Sequence, residues 1–429
     1  MRVFEIINSV LGIIFTVCYL YQFFYILVPI FKKDKPHKEA KPHRIGILIA
    51  GRNEELVIGN LIRSIHNQSY GTELVTTFVV ADNCTDHTAK IARELGAVVY
   101  ERSNLTKIGK GYALEFLYDN IVRDYGDTYF DAYIVLDADN VLDVKYIEEM
   151  NKVLSDGYEV VTSYRNSKNY GDNWISAGYA LWFLRESEYL NHARMLLNTS
   201  CAVSGTGFLF TSSVIREIGG WKFFLLTEDI EFTIYNVTKG RKIGYASKAH
   251  LYDEQPTKFS QSWTQRLRWS RGYMQVWGKY GGKLIRNIFS KNFTSGYDMT
   301  MVILPALIIS ILSCLVTAAS FVYGAFTGAD LLAHSLSVLK SFGGMYLTLF
   351  VIGFITTISE WKRIHTTSLR KLFYSFTFPL FMFTYIPITF VALFKKVQWK
   401  PIEHNRTVNL DQIKKGSKKP KIKKIKKQH

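Results

Sequence analysis

The chain opens with a long apolar run followed by a basic one. Between residues 3 and 31 the only charged side chain is Glu5, and about 20 such residues are enough for a helix to cross a bilayer. No small-residue cleavage site follows, which disfavours a signal peptide. The basic residues that come next favour the cytoplasmic side of a membrane. The pattern predicts a transmembrane helix over 1–32, with its N-terminus outside, and a basic cytoplasmic linker over 33–43.

Between residue 44 and about residue 285, apolar runs of strand length alternate with helical patterns. The strand-like runs are IGILIA, LVTTFVVAD, VVYER and YIVLDAD, and the helical ones are NLIRSIHNQ, HTAKIARELGA and GYALEFLYDNIV. This alternation predicts βαβ units and an α/β domain with a mostly parallel, Rossmann-like sheet over 44–285. Because ligands of such sheets bind at the carboxyl ends of the strands, the polar residues that close these runs are the candidates for function.

Three more apolar segments follow, at about 299–326, 337–358 and 372–394. They predict a C-terminal membrane region over 286–396 and a basic cytoplasmic tail over 397–429. The linker at 324–334 is nearly neutral and the one at 361–371 is basic, which places the first outside and the second inside. A full third crossing would leave the tail outside, against the charge rule. Pro379 and Pro387 allow a re-entrant or interfacial segment instead, so two or three spans remain open.

Composition and charge exclude several classes of protein. The 429 residues are 48% hydrophobic and 15% aromatic, which excludes a disordered chain. The formal net charge is +17, and nine lysines lie between Lys414 and Lys427. Beside membrane segments, this basic tail is expected to touch an anionic lipid surface, not nucleic acid. The four cysteines form no CxxC pair, so we expect ordinary thiols without a disulfide framework or a metal cluster.

Polar residues close the first strands of the predicted sheet. Asn53 and Glu54 follow the first strand, Asp82 ends the second, and Lys110 precedes a helical pattern. The carboxyl ends of neighbouring parallel strands meet at one edge, so these side chains form a candidate nucleotide pocket. The acidic groups are suited to hold uracil and ribose, and the lysine to approach the base or the phosphates.

The triplet DAD is the sharpest of these strand ends. In an extended chain, residues i and i+2 point to the same side, so Asp137 and Asp139 are predicted to converge. Two hard carboxylates together with diphosphate oxygens suit Mg²⁺ or Mn²⁺. A metal there neutralises the charge that builds on a diphosphate leaving group. The alternative is a solvated turn at a strand end.

Two later motifs carry acceptor chemistry. Ser204, Gly205 and Thr206 begin SGTG, either a plain turn or a loop with little side-chain bulk that an acceptor sugar approaches closely. Thr227, Glu228 and Asp229 form TED, behind the aromatic run WKFFLL. Acidic residues also favour exposed helix starts, but a half-buried carboxylate is placed to deprotonate an incoming hydroxyl group.

The last motif is QRLRW. With helical spacing, Gln265, Arg268 and Trp269 share one face of a helix. Arg268 is suited to pair with a diphosphate, and Trp269 to stack on a sugar ring. An amphipathic helix on the membrane surface has the same composition, and the two interpretations are compatible.

The ordered set VVADNCTD, GKG, DAD, SGTG, TED and QRLRW resembles the membrane-integrated family-two glycosyltransferases. These include processive synthases of cellulose, chitin, hyaluronan, poly-N-acetylglucosamine and mixed-linkage glucan. The resemblance covers residues 44–285 in detail. It implies a GT-A domain at the cytoplasmic face of the plasma membrane, a channel through multiple spans, and inversion that gives β-linkages. By position it implies nucleotide contacts for Asp82, Lys110 and Asp137, a metal ligand at Asp139, a general base at Asp229, and diphosphate and acceptor contacts for Gln265, Arg268 and Trp269.

The function expected from this resemblance is processive polymerisation of a β-linked polysaccharide from a UDP-sugar. UDP-glucose and a cellulose or mixed-linkage product are favoured; a poly-N-acetylglucosamine or hyaluronan-type synthase and a non-processive enzyme acting on a lipid carrier are the alternatives. A membrane scaffold without activity is disfavoured by the intact carboxylate set. The expected partners are the UDP-sugar, Mg²⁺ or Mn²⁺, the growing polysaccharide and membrane lipid. Because the membrane region is short, a homo-oligomer or an accessory subunit would complete the channel.

Overall fold

The computed structural model describes residues 2–303, 305–399, 402 and 404–415. The part of the predicted basic tail beyond Lys415 therefore lies outside the described residues. All four cysteines are free thiols: Cys18, Cys84, Cys201 and Cys314.

Eight strands form one mixed sheet. They are β1 (Ile45–Gly51), β2 (Val75–Asp82), β3 (Val98–Arg102), β4 (Ala132–Asp137), β5 (Val141–Leu142), β6 (Val160–Ser167), β7 (Phe208–Thr211) and β8 (Ile243–Asp253). Their order in the sheet is β3-β2-β1-β4-β7-β6-β8-β5. The pairs β3–β2, β2–β1, β1–β4 and β6–β8 are parallel, whereas β7 runs antiparallel to both neighbours and β5 to β8. The predicted α/β class and the mostly parallel sheet are confirmed.

Helices cover both faces of this sheet. In chain order they are α2 (Ile58–His66), α3 (Thr88–Glu94), α4 (Lys110–Tyr125), α5 (Tyr146–Ser155), α6 (Trp174–Arg185), α7 (Ala193–Leu196), α8 (Ser212–Ile218) and α9 (Glu228–Thr238). A 3₁₀ turn precedes β2 (Thr72–Leu74), and a π-helical segment, Glu186–His192, joins α6 to α7.

Alternation along the strands explains why both faces are covered. Ile47 and Ile49 of β1 join one buried cluster with α2 and α5, whereas Leu48 joins the cluster on the opposite face with α4. Successive side chains of a strand point to opposite faces, and an apolar residue at every position requires a layer of helices on each side. This packing leaves the carboxyl edge of the parallel strands open to loops.

The remaining helices include the long apolar segments of the chain and the long, partly basic helix Phe259–Ile288. They are α1 (Arg2–Phe31), α10 (Phe259–Ile288), α11 (Phe293–Ile303), α12 (Pro305–Thr327), α13 (Leu331–Ser359), α14 (Ser368–Phe383) and α15 (Tyr385–Phe394); a short α16 (Leu410–Lys414) follows. Among the described residues, four helices are long and apolar enough to cross a membrane: Arg2–Phe31, Ile308–Thr327, Leu331–Ser359 and Ser368–Phe394.

The last of these apolar helices is interrupted near its middle. α14 packs along α13, where Tyr346 Oη donates to the Phe376 carbonyl at 2.8 Å. After Thr384, α15 packs instead against α10, and Arg271 Nη1 donates to the Ala392 carbonyl at 3.3 Å. At the start of α14, Arg370 donates to the Gly171 carbonyl at 3.0 Å. Both ends of this segment therefore lie beside the α/β domain.

The chain then returns to the α/β domain. Val408 and Ile413 pack against Val141 and Tyr252 in a small buried cluster. Lys414 Nζ also donates to Asp143 Oδ2 at 2.7 Å. We call the described residues 404–415 the C-terminal strap.

Candidate active site

The carboxyl ends of β2, β1 and β4 lie side by side. Ala50 of β1 pairs with Asp137 of β4 and with Val80 of β2, so Asp137 and Asp82 end strands that are two positions apart in the sheet. Neighbouring strands are about 4.8 Å apart, which separates the two strand ends by roughly 10 Å. This edge is the place where α/β sheets bind ligands. Because the sequence predicts a nucleotide pocket here, we call the carboxyl ends of β2, β1 and β4 the donor edge.

Asp82 is held by a buried ion pair. Its carboxylate is 5% exposed and accepts from Arg102 Nη1 at 2.5 Å and from Asn83 Nδ2 at 3.0 Å. Asn53 plays a structural part beside it: its backbone has φ +58°, and its Oδ1 accepts from the Thr85 N–H at 2.8 Å. Asn53 thus fastens the loop after β1 to the loop after β2.

Lys110 connects the donor edge to the SGTG loop. It is the first residue of α4, and its ammonium group donates to Asp137 Oδ1 and, at 2.8 Å, to the Gly205 carbonyl. Burial alone would lower the pKa of Lys110, but the charges of Asp137 and Glu228 outweigh it and raise that pKa. Lys110 is therefore a fixed positive charge at the centre of the site.

Asp139 does not follow the strand alternation expected from the sequence. β4 ends at Asp137, and Asp139 lies in the turn that follows. Its Oδ2 accepts from the Glu254 N–H at 2.8 Å, and its backbone carbonyl accepts from Lys168 Nζ. Asp139 is 4% exposed, and although burial would raise its pKa, the nearby His404 and Lys168 lower it. The two aspartates therefore bind different partners.

Acidic residues surround Asp139 and its neighbour His404. No group of three metal-ligating side chains converges among the described residues. Glu54, however, faces the same region and binds His404 Nδ1 at 3.0 Å. Burial would lower the pKa of His404, but Asp139 and Glu54 raise it to about 10. The carboxylates of Glu54 and Asp139, which share the cation His404, are hard oxygen ligands and form part of the ligand set that a divalent metal ion requires.

The SGTG loop links the DAD turn to TED. Thr206 Oγ1 accepts from the Asp137 N–H at 2.9 Å and donates to Asn140 Oδ1 at 2.6 Å, so Thr206 shapes the turn. Gly205 and Gly207 have φ of +76° and +68°, a region that favours glycine. The Gly205 N–H donates to Asp229 Oδ2 at 2.6 Å. The loop thus brings the predicted base next to the donor edge.

TED begins helix α9. Thr227 and Glu228 are buried, whereas Asp229 is half-buried. Burial, followed by the charge of Asp229, raises the pKa of Glu228 to about 7, while Lys110 and Arg268 oppose this rise. The ionisation of Glu228 therefore depends on the charge of its neighbour Asp229.

A third carboxylate of the same helix turn has a structural part. Glu231 is fully buried and accepts from the N–H groups of Phe224 and Leu225, each at 3.0 Å. Lys279 of α10 donates to its other oxygen at 2.5 Å. Glu231 therefore ties the loop before α9 to α10 and is not available to an acceptor.

QRLRW lies on α10, beside TED. Arg268 is half-buried and close enough to Glu228 to lower that group's pKa. Trp269 makes edge contacts with Tyr179 and Phe183 of α6, at 5.7 Å and 6.2 Å between ring centroids. Gln265 Oε1 is buried without a hydrogen-bond partner among the described residues. The predicted face therefore turns toward TED and α6.

Arg266, which was not among the predicted site residues, points away from TED and toward the break between α14 and α15. It is fully buried, and its Nη1 donates to the Phe381 carbonyl at 3.2 Å and to Thr384 Oγ1 at 2.6 Å. Its guanidinium also lies 4.9 Å from the centre of the Tyr385 ring. Arg266 therefore stabilises the interruption between α14 and α15.

Several residues of the site were not predicted from the sequence: Arg165, Lys168, Asp253, Glu254 and His404. Asp253 ends β8 and pairs with Arg165, with Nε and Oδ2 at 2.7 Å. The rule that strand ends carry function would have found Asp253 and Glu254. No local signal marks His404, because the strap reaches the site only through the tertiary fold.

The strap covers the donor edge. Besides the His404–Glu54 contact, the N–H groups of Asn405 and Arg406 donate to the Glu254 carboxylate at 3.2 Å and 2.9 Å. Burial raises the pKa of Glu254 despite the nearby His404. Glu254 thus joins the strap to Asp139 through its own backbone N–H.

Comparison with a solved structure identifies the fold. The mannosyltransferase PcManGT from Pyrobaculum calidifontis, solved in complex with GDP-Man and Mn²⁺, matches with a TM-score of 0.60 and 14% identity, covering 91% of this chain and 99% of that one. This likeness shows the fold alone, and the fold is GT-A, as predicted.

Two curated relatives extend the comparison. The probable glycosyltransferase YdaM of Bacillus subtilis is 26% identical over 257 residues, which is 54% of this chain and 56% of YdaM. The beta-monoglucosyldiacylglycerol synthase of Trichormus variabilis is 26% identical over 317 residues, 70% of this chain and 64% of that protein. The chain thus spans just over half to just under two thirds of these relatives. Residues 42–272, more than half of the chain, match the family described as glycosyltransferase like family 2, so the protein is a member of that family.

Proposed function

We propose that the protein is an inverting glycosyltransferase that moves a hexose from a UDP-sugar to a hydroxyl group of a lipid-borne acceptor at the membrane surface. The observation that carries this proposal is the position of Asp229. Its Oδ2 is fixed by the Gly205 N–H at 2.6 Å, and Gly205 also accepts from Lys110, which binds Asp137. A single loop therefore holds a candidate base beside the donor edge.

The donor would lie across the strand ends. The separation of Asp82 and Asp137, roughly 10 Å, suits a nucleoside at β2 and a diphosphate at β4. Asp139, with Asp137 beside it, would hold Mg²⁺ or Mn²⁺, which neutralises charge on the leaving diphosphate. Lys110 and Arg268 add fixed positive charge close to Glu228. We propose UDP-glucose as the first donor to test.

The transfer step needs one base. The acceptor oxygen forms a bond to the anomeric carbon while the bond from that carbon to the diphosphate oxygen breaks, and the acceptor proton passes to the Asp229 carboxylate. UDP leaves with the bonding electrons. Lys110 and Arg268 stabilise the negative charge that develops on it. One in-line attack inverts the anomeric centre and gives a β-linkage from an α-linked donor.

The acceptor side is built by helices that pack against the apolar segments: α6 contacts α13 and α14, and α10 contacts α15. α6 and α10 contribute Tyr179, Phe183 and Trp269, and Phe381 of α14 packs on Tyr179 at 5.0 Å between ring centroids. Because Phe381 of α14 occupies one side of this aromatic cluster, a polymer could pass only if the cluster opened. The closed cluster therefore supports transfer of single sugars to an acceptor that lies in the membrane.

A second candidate is processive synthesis of a β-glucan or of a poly-N-acetylglucosamine or hyaluronan-type polymer. The observation that favours it is Trp269, an aromatic ring beside TED on which a terminal sugar would stack. This candidate requires the cluster of Tyr179, Phe183 and Phe381 to open into a channel, in one chain or with a further copy or subunit.

The membrane arrangement we propose follows from the strap. α1, α12 and α13 cross the plasma membrane, and α14 and α15 form a re-entrant segment. Since the strap contacts Glu54 and Asp143, it lies on the same side as the α/β domain, which the basic linker places in the cytoplasm. Two crossings after the domain, by α12 and α13, return the chain to the side on which the α/β domain and the strap lie.

Product analysis tests the function. Purified protein in lipid nanodiscs would receive radiolabelled UDP-glucose or UDP-N-acetylglucosamine with Mg²⁺ or Mn²⁺, and a mixture of diacylglycerol and glucosyl lipids. A lipid-soluble product with one or two added sugars supports the proposal, and it should be absent in the Asp229→Asn variant. A high-molecular-weight, glycosidase-sensitive product would establish the second candidate. Binding of the nucleotide without a sugar product from either donor would contradict both.

A further inference from the structure

Glu186 is a half-buried carboxylate with no part in the chemistry described so far. It begins the π-helical segment Glu186–His192 at the end of α6. Such segments are rare and often occur at functional sites. Glu186 lines a cavity of about 10 Å³ together with Arg165, Phe183, Ser204 and Thr206, which is close to the room that one water-sized group needs.

The SGTG loop connects this cavity to the base. Ser204 Oγ donates to Glu186 Oε2 at 3.2 Å, and the next residue, Gly205, donates its N–H to Asp229 Oδ2 at 2.6 Å. Two successive residues of one loop therefore bind the two carboxylates. A ligand that reaches Asp229 also reaches the neighbourhood of Glu186.

Glu186 keeps hydrogen-bonding capacity that the protein does not use. An ionised carboxylate has about four acceptor sites, and among the described residues only Ser204 donates to it. The nearby Arg165 is already engaged, with Asp253 Oδ2 at 2.7 Å and the Ser204 carbonyl at 3.0 Å. Desolvation raises the pKa of Glu186, and the charge of Asp229 adds to this rise. The positive charge of Arg165 opposes the rise but does not cancel it. A ligand hydroxyl group donating to Glu186 would compensate the cost of burial.

The next carboxylate of the same segment gives a contrast. Glu188 pairs with His192 at 3.2 Å and with Arg363 at 3.4 Å. His192 belongs to the same π-helical segment, and Arg363 lies in the turn between α13 and α14, so Glu188 ties the segment to that turn. Glu188 is therefore structural, and it serves as a matched control for Glu186.

An aromatic surface completes the cavity. Phe183 lies one turn before Glu186 and lines the cavity; the Arg165 guanidinium covers one face of its ring at 3.6 Å from the centroid, and the Trp269 ring lies 6.2 Å from it. Carboxylates that accept hydroxyl protons and aromatic rings that contact C–H faces are the combination expected of a pocket for a polyhydroxylated ligand.

We propose that Glu186 accepts a hydrogen bond from a second hydroxyl group of the acceptor, next to the hydroxyl that Asp229 deprotonates. The acceptor is then a sugar head group, such as a glycosyl lipid, and not a lipid with a single hydroxyl group. This inference rests on the proposed function and specifies its acceptor. Glu186 is an acceptor-binding residue that discriminates between these two classes.

Kinetics with paired acceptors test the inference. Wild-type enzyme, Glu186→Gln, Glu186→Asp and Glu188→Gln would be compared with glucosyl-diacylglycerol and diacylglycerol in nanodiscs. For wild type we expect transfer to the glucosyl lipid to be favoured. In Glu186→Gln the acceptor KM should rise about tenfold or more, while the UDP-sugar affinity and the slow hydrolysis of donor by water stay unchanged. Glu186→Asp should restore part of the loss, and Glu188→Gln should leave the acceptor KM unchanged.

Failure of the inference and failure of the function give different results. If wild type prefers diacylglycerol, or if Glu186→Gln keeps the wild-type acceptor KM, the inference is overturned although the glycosyltransferase activity stands. If wild type transfers sugar to no acceptor, the proposed function itself fails. An equal loss of donor hydrolysis and of transfer in Glu186→Gln would make Glu186 a structural residue and also overturn the inference.

Discussion

At the scale of single residues, the start of α9 places two carboxylates side by side in a mostly buried position. Glu228 is 9% exposed and Asp229 is half-buried. Burial and the negative charge of Asp229 both oppose the ionisation of Glu228. The nearby cations Lys110 and Arg268 oppose the rise in the pKa of Glu228 but do not cancel it. The protonation of Glu228 is therefore sensitive to pH near neutrality.

The pH dependence of transfer follows from this pair. Burial and the Asp229 charge raise the pKa of Glu228 from 4.5 to about 7. Below that pH Glu228 is protonated and no longer supplies the negative charge that draws the acceptor proton toward Asp229, so we expect kcat/KM to fall as the pH drops through about 7. Glu228→Gln removes the neighbouring charge and should move this acid limb to lower pH. A profile that is flat between pH 6 and 8, or a limb that Glu228→Gln leaves in place, would contradict this assignment.

Much of the residue-level site follows from strand ends. Asp82 and Asp137 close β2 and β4 as the apolar runs predict. Asp139 does not, because the chain turns after Asp137, and its burial depends on Glu254 and Lys168 from distant strands. The ion pair of Asp82 with Arg102 likewise arises from the pairing of β2 with β3. Local pattern predicts which residues reach the edge, whereas tertiary contacts decide what each one binds.

At the scale of elements, the contact between α9 and α10 aligns TED with QRLRW. Gly272 of α10 lies directly against Thr227: a Cβ at this position would be 2.5 Å from Thr227 Oγ1 and 2.6 Å from its Cγ2. Both atoms belong to a buried residue at the first turn of α9. The helices therefore approach as closely as a residue without a side chain permits.

Replacing this glycine separates activity from stability. Gly272→Ala should push α10 away from TED, and a displacement of about 1 Å at an active site costs on the order of 100-fold in rate. The midpoint temperature of thermal unfolding should change little, because alanine favours the helix over glycine by about 1 kcal/mol, which offsets the cost of the displacement.

Two glycines of the same helix are matched controls. Gly278 and Gly282 have nothing within 4 Å of an added Cβ, so Gly278→Ala and Gly282→Ala should keep full transfer. Equal activity of Gly272→Ala and these controls would show that the close approach of α9 and α10 is unimportant.

The interruption between α14 and α15 was only an open alternative in the sequence. The two prolines suggested it, but the structure places the break at Thr384, between Pro379 and Pro387. Arg266 explains the position, since it donates to Phe381 and Thr384 from α10. Sequence pattern marks a weak point in such a helix, and a partner from elsewhere in the chain fixes where it bends.

At the scale of the whole molecule, the contacts of the strap limit how many times the chain can cross a membrane. It contacts the donor edge through His404 and the sheet through Val408. A third full crossing by Ser368–Phe394 would separate the strap from this domain by the thickness of a bilayer. The contacts of the strap and the positive charge of the tail therefore both support the proposed arrangement, in which the strap lies on the cytoplasmic side.

Labelling of single cysteines tests this arrangement. In a variant without its four native cysteines, Thr327→Cys at the end of α12 should react with a membrane-impermeant maleimide in intact cells. Thr407→Cys, an exposed position in the strap, should react only after the membrane is permeabilised. Labelling of Thr407→Cys in intact cells would contradict the re-entrant arrangement and require a third crossing.

The most direct test of the central claim is the Asp229→Asn variant. Purified in nanodiscs, it would be compared with wild type for UDP binding by calorimetry and for sugar transfer from the donor that wild type uses. Loss of the base should lower transfer by about 100-fold or more. UDP should bind as in wild type, because Asp229 contacts the SGTG loop through the Gly205 N–H and is not one of the strand-end residues proposed to bind UDP. Normal transfer, or a loss of UDP affinity of about tenfold that accounts for the lost rate, would contradict the assignment of Asp229 as the catalytic base.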